Sequence, residues 1–163
     1  LMDTDNLASA APELRLAARG LSLPDRPPEP IGRFRNVKRV GALLYISGQG
    51  PLGTDGKLLT GKVGRDVTAD EARVHAEMVG LNILAVLKDY LGDLGEIQQV
   101  VKIFGMVNAV PDFTDHPFVI NGCSQLLCDV LGERGSHARS AVGVGSLPNN
   151  ITVEIEAIVE ARS

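Results

Sequence analysis

Between Thr68 and Leu91 the apolar residues Ala72, Ala76, Val79, Ile83, Val86, Leu87 and Tyr90 recur at helical spacing, which predicts an amphipathic helix. Thr68 followed by Glu71 reads as a capping box, and Gly92 as the stop. A second helical run starts at Pro117, after the turn-forming stretch Asp112 to His116. It carries Leu126, Leu127, Val130 and Leu131 to Gly132. Elsewhere the period shortens towards two. Ile31–Val40 and Ala42–Ser47 read as a strand pair about Val40-Gly41, and Ile97–Val107 as a further strand. Near the end, Ala138–Val144 and Ile151–Val159 flank the turn formers Ser146 to Asn150, which reads as an antiparallel hairpin or near-hairpin pair. In the last run Thr152, Glu154, Glu156 and Ile158 fall on one side, and Val153, Ile155, Ala157 and Val159 on the other.

The N-terminal part has a different texture. Leu1 to Ala10 is small and polar, and its first residues are expected to be loose. Pro12 to Gly20 reads as a short helix. Leu23 to Pro30, with prolines at 24, 27, 28 and 30, is an extended connector. The chain thus divides into an extension, 1–30, and a domain, 31–163, of order β-β-(β)-α-β-α-β-β. Two helices on one face of a mainly antiparallel sheet make an α+β two-layer domain. The other face must meet water or another subunit. Val142, Val144, Val153, Ile155 and Val159 exceed what one covered face requires, which predicts closed, symmetric self-association.

Composition narrows the function. A net charge of −4 argues against a nucleic-acid partner. No apolar run approaches the roughly 20 residues of a membrane span, and no secretory signal opens the sequence. Cys123 and Cys128 sit five apart in one predicted helix, about 140° around its axis, so they read as reduced, buried thiols of a cytoplasmic protein rather than a disulfide.

The candidate chemistry centres on Arg139, near the start of one late strand, and Glu154 inside the next. A guanidinium offers a planar fork of donors suited to a carboxylate or phosphate. The alternative is an edge-strand arginine paired to Glu154 or Glu156. His75, His116 and His137 form no metal-binding pair, and the cysteines lack zinc-knuckle spacing. The zinc-deaminase signature and the Gly-x-Ser-x-Gly elbow are missing. Gly48-Gln49-Gly50 precedes no helix as a phosphate loop would, and Gly143 to Ser146 reads as bulge glycines. Such motifs leave activity without metal, thiol nucleophile or bound nucleotide.

Tyr45-Ile46-Ser47-Gly48-Gln49, Asn121-Gly122, His137-Ala138-Arg139-Ser140, and Leu147-Pro148 followed by Val153-Glu154-Ile155-Glu156-Ala157-Ile158 occur in one order. In these residues, from about Arg33 to Glu160, the chain resembles the Rid family of reactive-intermediate (enamine/imine) deaminases. That family is also known as YjgF-like or endoribonuclease L-PSP. The resemblance implies a chorismate-mutase-like fold assembled as a homotrimer around a barrel, with clefts between subunits and no cofactor or metal. It implies that Arg139 grips a small carboxylate substrate, an imino or keto acid. Phe34, Ser47, Gly48, Asn121, Ser140 and Ala141 would line the cleft, and Glu154 would place the hydrolytic water. The implied reaction is hydrolysis of 2-aminoacrylate-type enamines, as 2-imino acids, to 2-keto acids and ammonia. The alternatives are a non-catalytic trimer that binds small carboxylates or a protein partner, and ribonuclease action, which the net charge disfavours. Phe34 stands where tyrosine is frequent, Ala141 where cysteine is, and His137 where proline is commoner, which marks a divergent subgroup.

Overall fold

The computed structural model describes residues 11–163; the loose start expected for Leu1 to Ala10 lies outside them. Helix α1 spans Pro12–Ala18 and is followed by the extended connector. Strands β1 (Val37–Val40) and β2 (Leu43–Gln49) come next, then helix α2 (Ala69–Leu91), strand β3 (Ile97–Asn108), helix α3 (His116–Leu131), and strands β4 (Ala138–Val144) and β5 (Val153–Ala161). β1 is shorter than the pattern suggested, because residues 31–36 form bends.

Local chemistry sets the helix ends. The Thr68 hydroxyl accepts from the Glu71 amide at 3.1 Å, and Gly92 closes α2 at φ 84°. Ala72, Ala76, Val79, Ile83, Val86 and Leu87 are buried as the periodicity required, whereas Tyr90 is exposed at the end of the face. The helices approach closely at Gly122, where a Cβ would run into the Arg73 backbone carbonyl.

The five strands form one sheet in the order β1-β2-β5-β3-β4. The expected hairpin is not there. β4 pairs parallel with β3, and β5 lies antiparallel between β2 and β3. β3, α3 and β4 are therefore a crossover unit, the connection parallel strands need. The turn formers carry the chain over the end of β3: Asn149 and Asn150 take positive φ (55° and 58°) in the turn Pro148–Asn150. Asn108 Nδ2 donates to Asn150 Oδ1 at 3.0 Å and to the Ile151 carbonyl at 3.1 Å, fixing that path.

α2 and α3 cover one face of the sheet. Val153, Ile155, Ala157 and Val159 point into this layer with Ile103 and Val107. Three residues expected to be surplus, Val153, Ile155 and Val159, are therefore core. The apolar content of the open face comes from Tyr45, Phe104, Met106, Val142 and Ile158, interspersed with Lys38, Lys102, Glu154 and Glu156. Thr152, assigned by alternation to Glu154's side, is fully buried just before β5, 2.8 Å from His75 Nδ1. Both cysteines are free; Cys123 is buried, but Cys128 is only partly so.

Candidate functional site

Four of the sequence-derived site residues meet at one cavity of about 460 Å³: Phe34, Ser47, Gly48 and Glu154. β2 bulges between Ile46 and Gln49 where it faces β5, which turns Ser47 and Gly48 towards the cavity. A Cβ at Gly48 would lie 2.6 Å from Glu154 Oε2 and 2.9 Å from its Cδ, so a side chain there would push the Glu154 carboxyl aside. The Ser47 hydroxyl donates to the Arg35 carbonyl at 2.6 Å, leaving its lone pairs for another donor. Burial, and then repulsion from Glu156, hold the Glu154 carboxyl above the ordinary carboxylate range.

Arg139 is elsewhere. It pairs in register with Ile103, so it projects to the helix side of β4, whereas Glu154 projects from the open face. Arg139 Nη1 donates to Ser124 Oγ at 3.0 Å and Nη2 to the Pro117 carbonyl at 3.2 Å. Of the five guanidinium N–H groups, these two are engaged and three remain (5 − 2). Among the described residues no carboxylate pairs with Arg139, so the edge-strand ion pair to Glu154 or Glu156 does not form. Asn121 lies between Pro117 and Ser124 at spacings of four and three, on the same face of α3. Ala141 follows Arg139 on the helix side of β4, while Ser140 points to the open face opposite Phe104.

One chain therefore carries these residues in two separate groups on opposite faces of the sheet. Phe34, Ser47, Gly48 and Glu154 form one; Arg139, Asn121 and Ala141 form the other, and Ser140 stands apart from the second. Sequence reasoning overlooked Ser124, the Pro117 carbonyl and His137 as partners of the guanidinium network. Their signal was the 117-121-124 spacing on one helical face, which pattern reading alone assigns to packing.

The fold and these two groups of residues define an α+β two-layer domain with a carboxylate set in a cavity and an arginine without an acidic partner among the described residues. A family model described as "YjgF/chorismate_mutase-like, putative endoribonuclease" matches residues 13–159. The chain belongs to that YjgF/chorismate-mutase-like family, the one its motifs resembled. It is 45% identical to Atu1372 from Agrobacterium tumefaciens, a protein of unknown function, with a TM-score of 0.85 over 96% of this chain and 97% of that one. Protein TCP17 of Trypanosoma cruzi is 36% identical over 158 residues, 96% of this chain and 98% of its own. A 2-iminobutanoate/2-iminopropanoate deaminase of Dermatophagoides farinae is 29% identical over 133 residues, 81% of this chain and 88% of its own. Among the described residues no helix is long and apolar enough to cross a membrane.

Proposed function

We propose that the protein hydrolyses small 2-imino acids to 2-keto acids and ammonia, in clefts where one copy's Arg139 faces another copy's Glu154 within a homotrimer. The observation that carries this reading is the half-buried Arg139 guanidinium, anchored on two neutral acceptors and left with free N–H groups and no acidic partner among the described residues. A partly desolvated cation in that state favours an incoming anion, and a fork of N–H groups suits a carboxylate. The relative named as an imine deaminase adds support.

The chemistry needs little beyond placement. The imine carbon is an electrophile that water attacks, so clamping the carboxylate and orienting one water account for most of the required effect. Glu154 accepts a proton from the attacking water as the C–O bond forms. It passes that proton to nitrogen to give the carbinolamine. It then takes the carbinolamine hydroxyl proton and delivers it to nitrogen as the C–N bond breaks and the C=O bond forms, which releases ammonia and leaves the keto acid. A carboxyl held above its usual range is suited to both transfers. The Ser47 hydroxyl oxygen and the backbone at Gly48 border the same space.

The test is to generate 2-aminoacrylate from serine with a dehydratase and to follow pyruvate release with and without the protein. Acceleration by wild type that is lost in Arg139→Ala is the expected result. Saturable keto-acid binding without acceleration would replace catalysis by a carboxylate-binding role. A monomer in light scattering would remove the shared cleft.

A further inference from the structure

The connector ahead of β1 belongs to the cavity that holds Glu154. Its residues Pro28, Glu29 and Pro30, with Ile31 and Phe34 in the bends that follow, line that cavity together with Leu58 and Ile151. The connector is tied down: Asn36 Nδ2 donates to the Pro28 carbonyl at 2.7 Å, and the Ser47 amide to the Asn36 carbonyl at 2.9 Å. Upstream, α1 buries Leu16 in the core, and Arg19 pairs with Glu77 at 3.1 Å and Asp129 at 3.4 Å. The apolar side is thus built before any ligand arrives, so its ordering is not charged against binding.

Two of its members are poorly covered by the rest of the chain. Ile31 is 81% exposed and Phe34 49% exposed. Large apolar groups displayed together at the mouth of a cavity mark a surface that another molecule covers. The cavity, at about 460 Å³, falls within the range of sites that enclose substantial organic ligands. Imino-acid chemistry uses only the corner where Ser47, Gly48 and Glu154 lie, and a three-carbon acid would leave the apolar side untouched.

We propose that this connector is the side-chain subsite of the enzyme, and that the substrate is a 2-imino acid with an apolar side chain of leucine or phenylalanine size. The inference rests on the imine-deaminase reading and specifies which imine. The prolines keep the connector extended and rigid, and Ile31 and Phe34 supply the surface against which an alkyl or aryl group packs.

The test forms imines in place from L-alanine, L-leucine and L-phenylalanine with an amino-acid oxidase, and follows their loss by trapping the remainder with semicarbazide. The leucine and phenylalanine imines should be consumed with kcat/KM at least about tenfold above the alanine imine, since apolar contacts discriminate by about 10–200-fold. Ile31→Ser alters an exposed side chain outside the core, and should narrow that ratio about threefold or more. Equal kcat/KM for the three imines, or a ratio that Ile31→Ser leaves unchanged, overturns the subsite. If no imine is turned over, the deaminase reading fails, and calorimetry with 4-methyl-2-oxopentanoate and pyruvate then decides the subsite. Tighter binding of the branched acid that weakens in Ile31→Ser upholds it. Equal binding of the two acids, or a cavity filled by a second copy of the chain in a crystal, rejects it.

Discussion

Ser124 Oγ, on α3, accepts a hydrogen bond from Arg139 Nη1 at 3.0 Å. The same hydroxyl lies 2.9 Å from His137 Nε2, and His137 Nδ1 lies 2.6 Å from the Gly135 carbonyl. A carbonyl only accepts, so Nδ1 carries the proton in the neutral ring and Nε2 takes the Ser124 proton. The serine then presents its lone pairs to the guanidinium. His137 thus orients the Arg139 guanidinium through one intermediary.

Ser124→Ala should accordingly loosen the clamp without removing it. A hydrogen bond to a charged group contributes about 1.5–3 kcal/mol, and the Pro117 carbonyl still holds the other corner. The expected result is a rise of about tenfold in KM for the imine with kcat changed less than about threefold. Ser124→Thr keeps the hydroxyl and should restore KM. Equal losses in kcat and KM binding, unrepaired by threonine, would reduce Ser124 to a packing residue.

Glu154→Gln keeps the shape of the carboxyl and removes its proton chemistry. If Glu154 handles the proton, kcat falls by about 10²–10⁴ while keto-acid affinity stays within about threefold. Retained turnover in steady-state assays would transfer the acid–base role elsewhere.

The same carboxyl gives a stability signature. Because burial and Glu156 raise it above its ordinary 4.5, the folded chain holds this proton more tightly than the unfolded chain does. Its contribution therefore favours folding below that ordinary value and is lost as pH rises through the folded one. The Tm of Glu154→Gln should exceed wild type at neutral pH, and the two should converge in acid. A difference independent of pH across calorimetric scans would contradict this environment for Glu154.

Gly122→Ala tests the contact between α2 and α3. Its Cβ would overlap the backbone carbonyl of Arg73, which cannot rotate away as a side chain would. Separating the helices should destabilise the fold by about 1–3 kcal/mol, read as a lower urea midpoint at unchanged slope. An unchanged midpoint would mean the interface has slack that the packing does not suggest.

The thiols offer a chemical probe. Burial pushes the Cys123 thiol up to about 12 and encloses it, whereas Cys128 is partly exposed. In native protein an aromatic disulfide reagent should titrate no more than the Cys128 thiol, and both after denaturation. Fast reaction of both in the folded state would show that α3 opens readily.

What the sequence made legible follows from how local each signal is. α2 was readable end to end because its cap, its periodic face and its stop all lie within the helix itself. The alternation of β5 put Val153, Ile155, Ala157 and Val159 on one side and Glu154 on the other, and the structure buries the first set, including Val153, Ile155 and Val159, which were counted as surplus. Thr152 broke the rule because the chain is still crossing over β3 there, and its backbone amide bonds the Leu59 carbonyl rather than a neighbouring strand. The false hairpin came from Ser146 to Asn150: turn formers announce a change of direction, but not which strand the chain lands beside. For the same reason Arg139 and Glu154 looked like neighbours. Their faces depend on the register of β4 against β3, a relation between residues about thirty-six apart, Ile103 and Arg139 (139 − 103), that no local pattern encodes. Ser47 and Gly48 were named from motif, yet the bulge that turns them inward was not foreseen.

The central position of β5 has a consequence for biosynthesis. Residues 153–161 are made after β1 to β4, yet they fill the gap between β2 and β3. While the polypeptide is emerging from the ribosome, two inner strands wait with unsatisfied ladders, the condition that invites mispairing between nascent chains. The sheet closes only once β5 has emerged, so its central pairings are the latest to form, and a truncation before residue 153 forfeits the whole architecture rather than one margin of it.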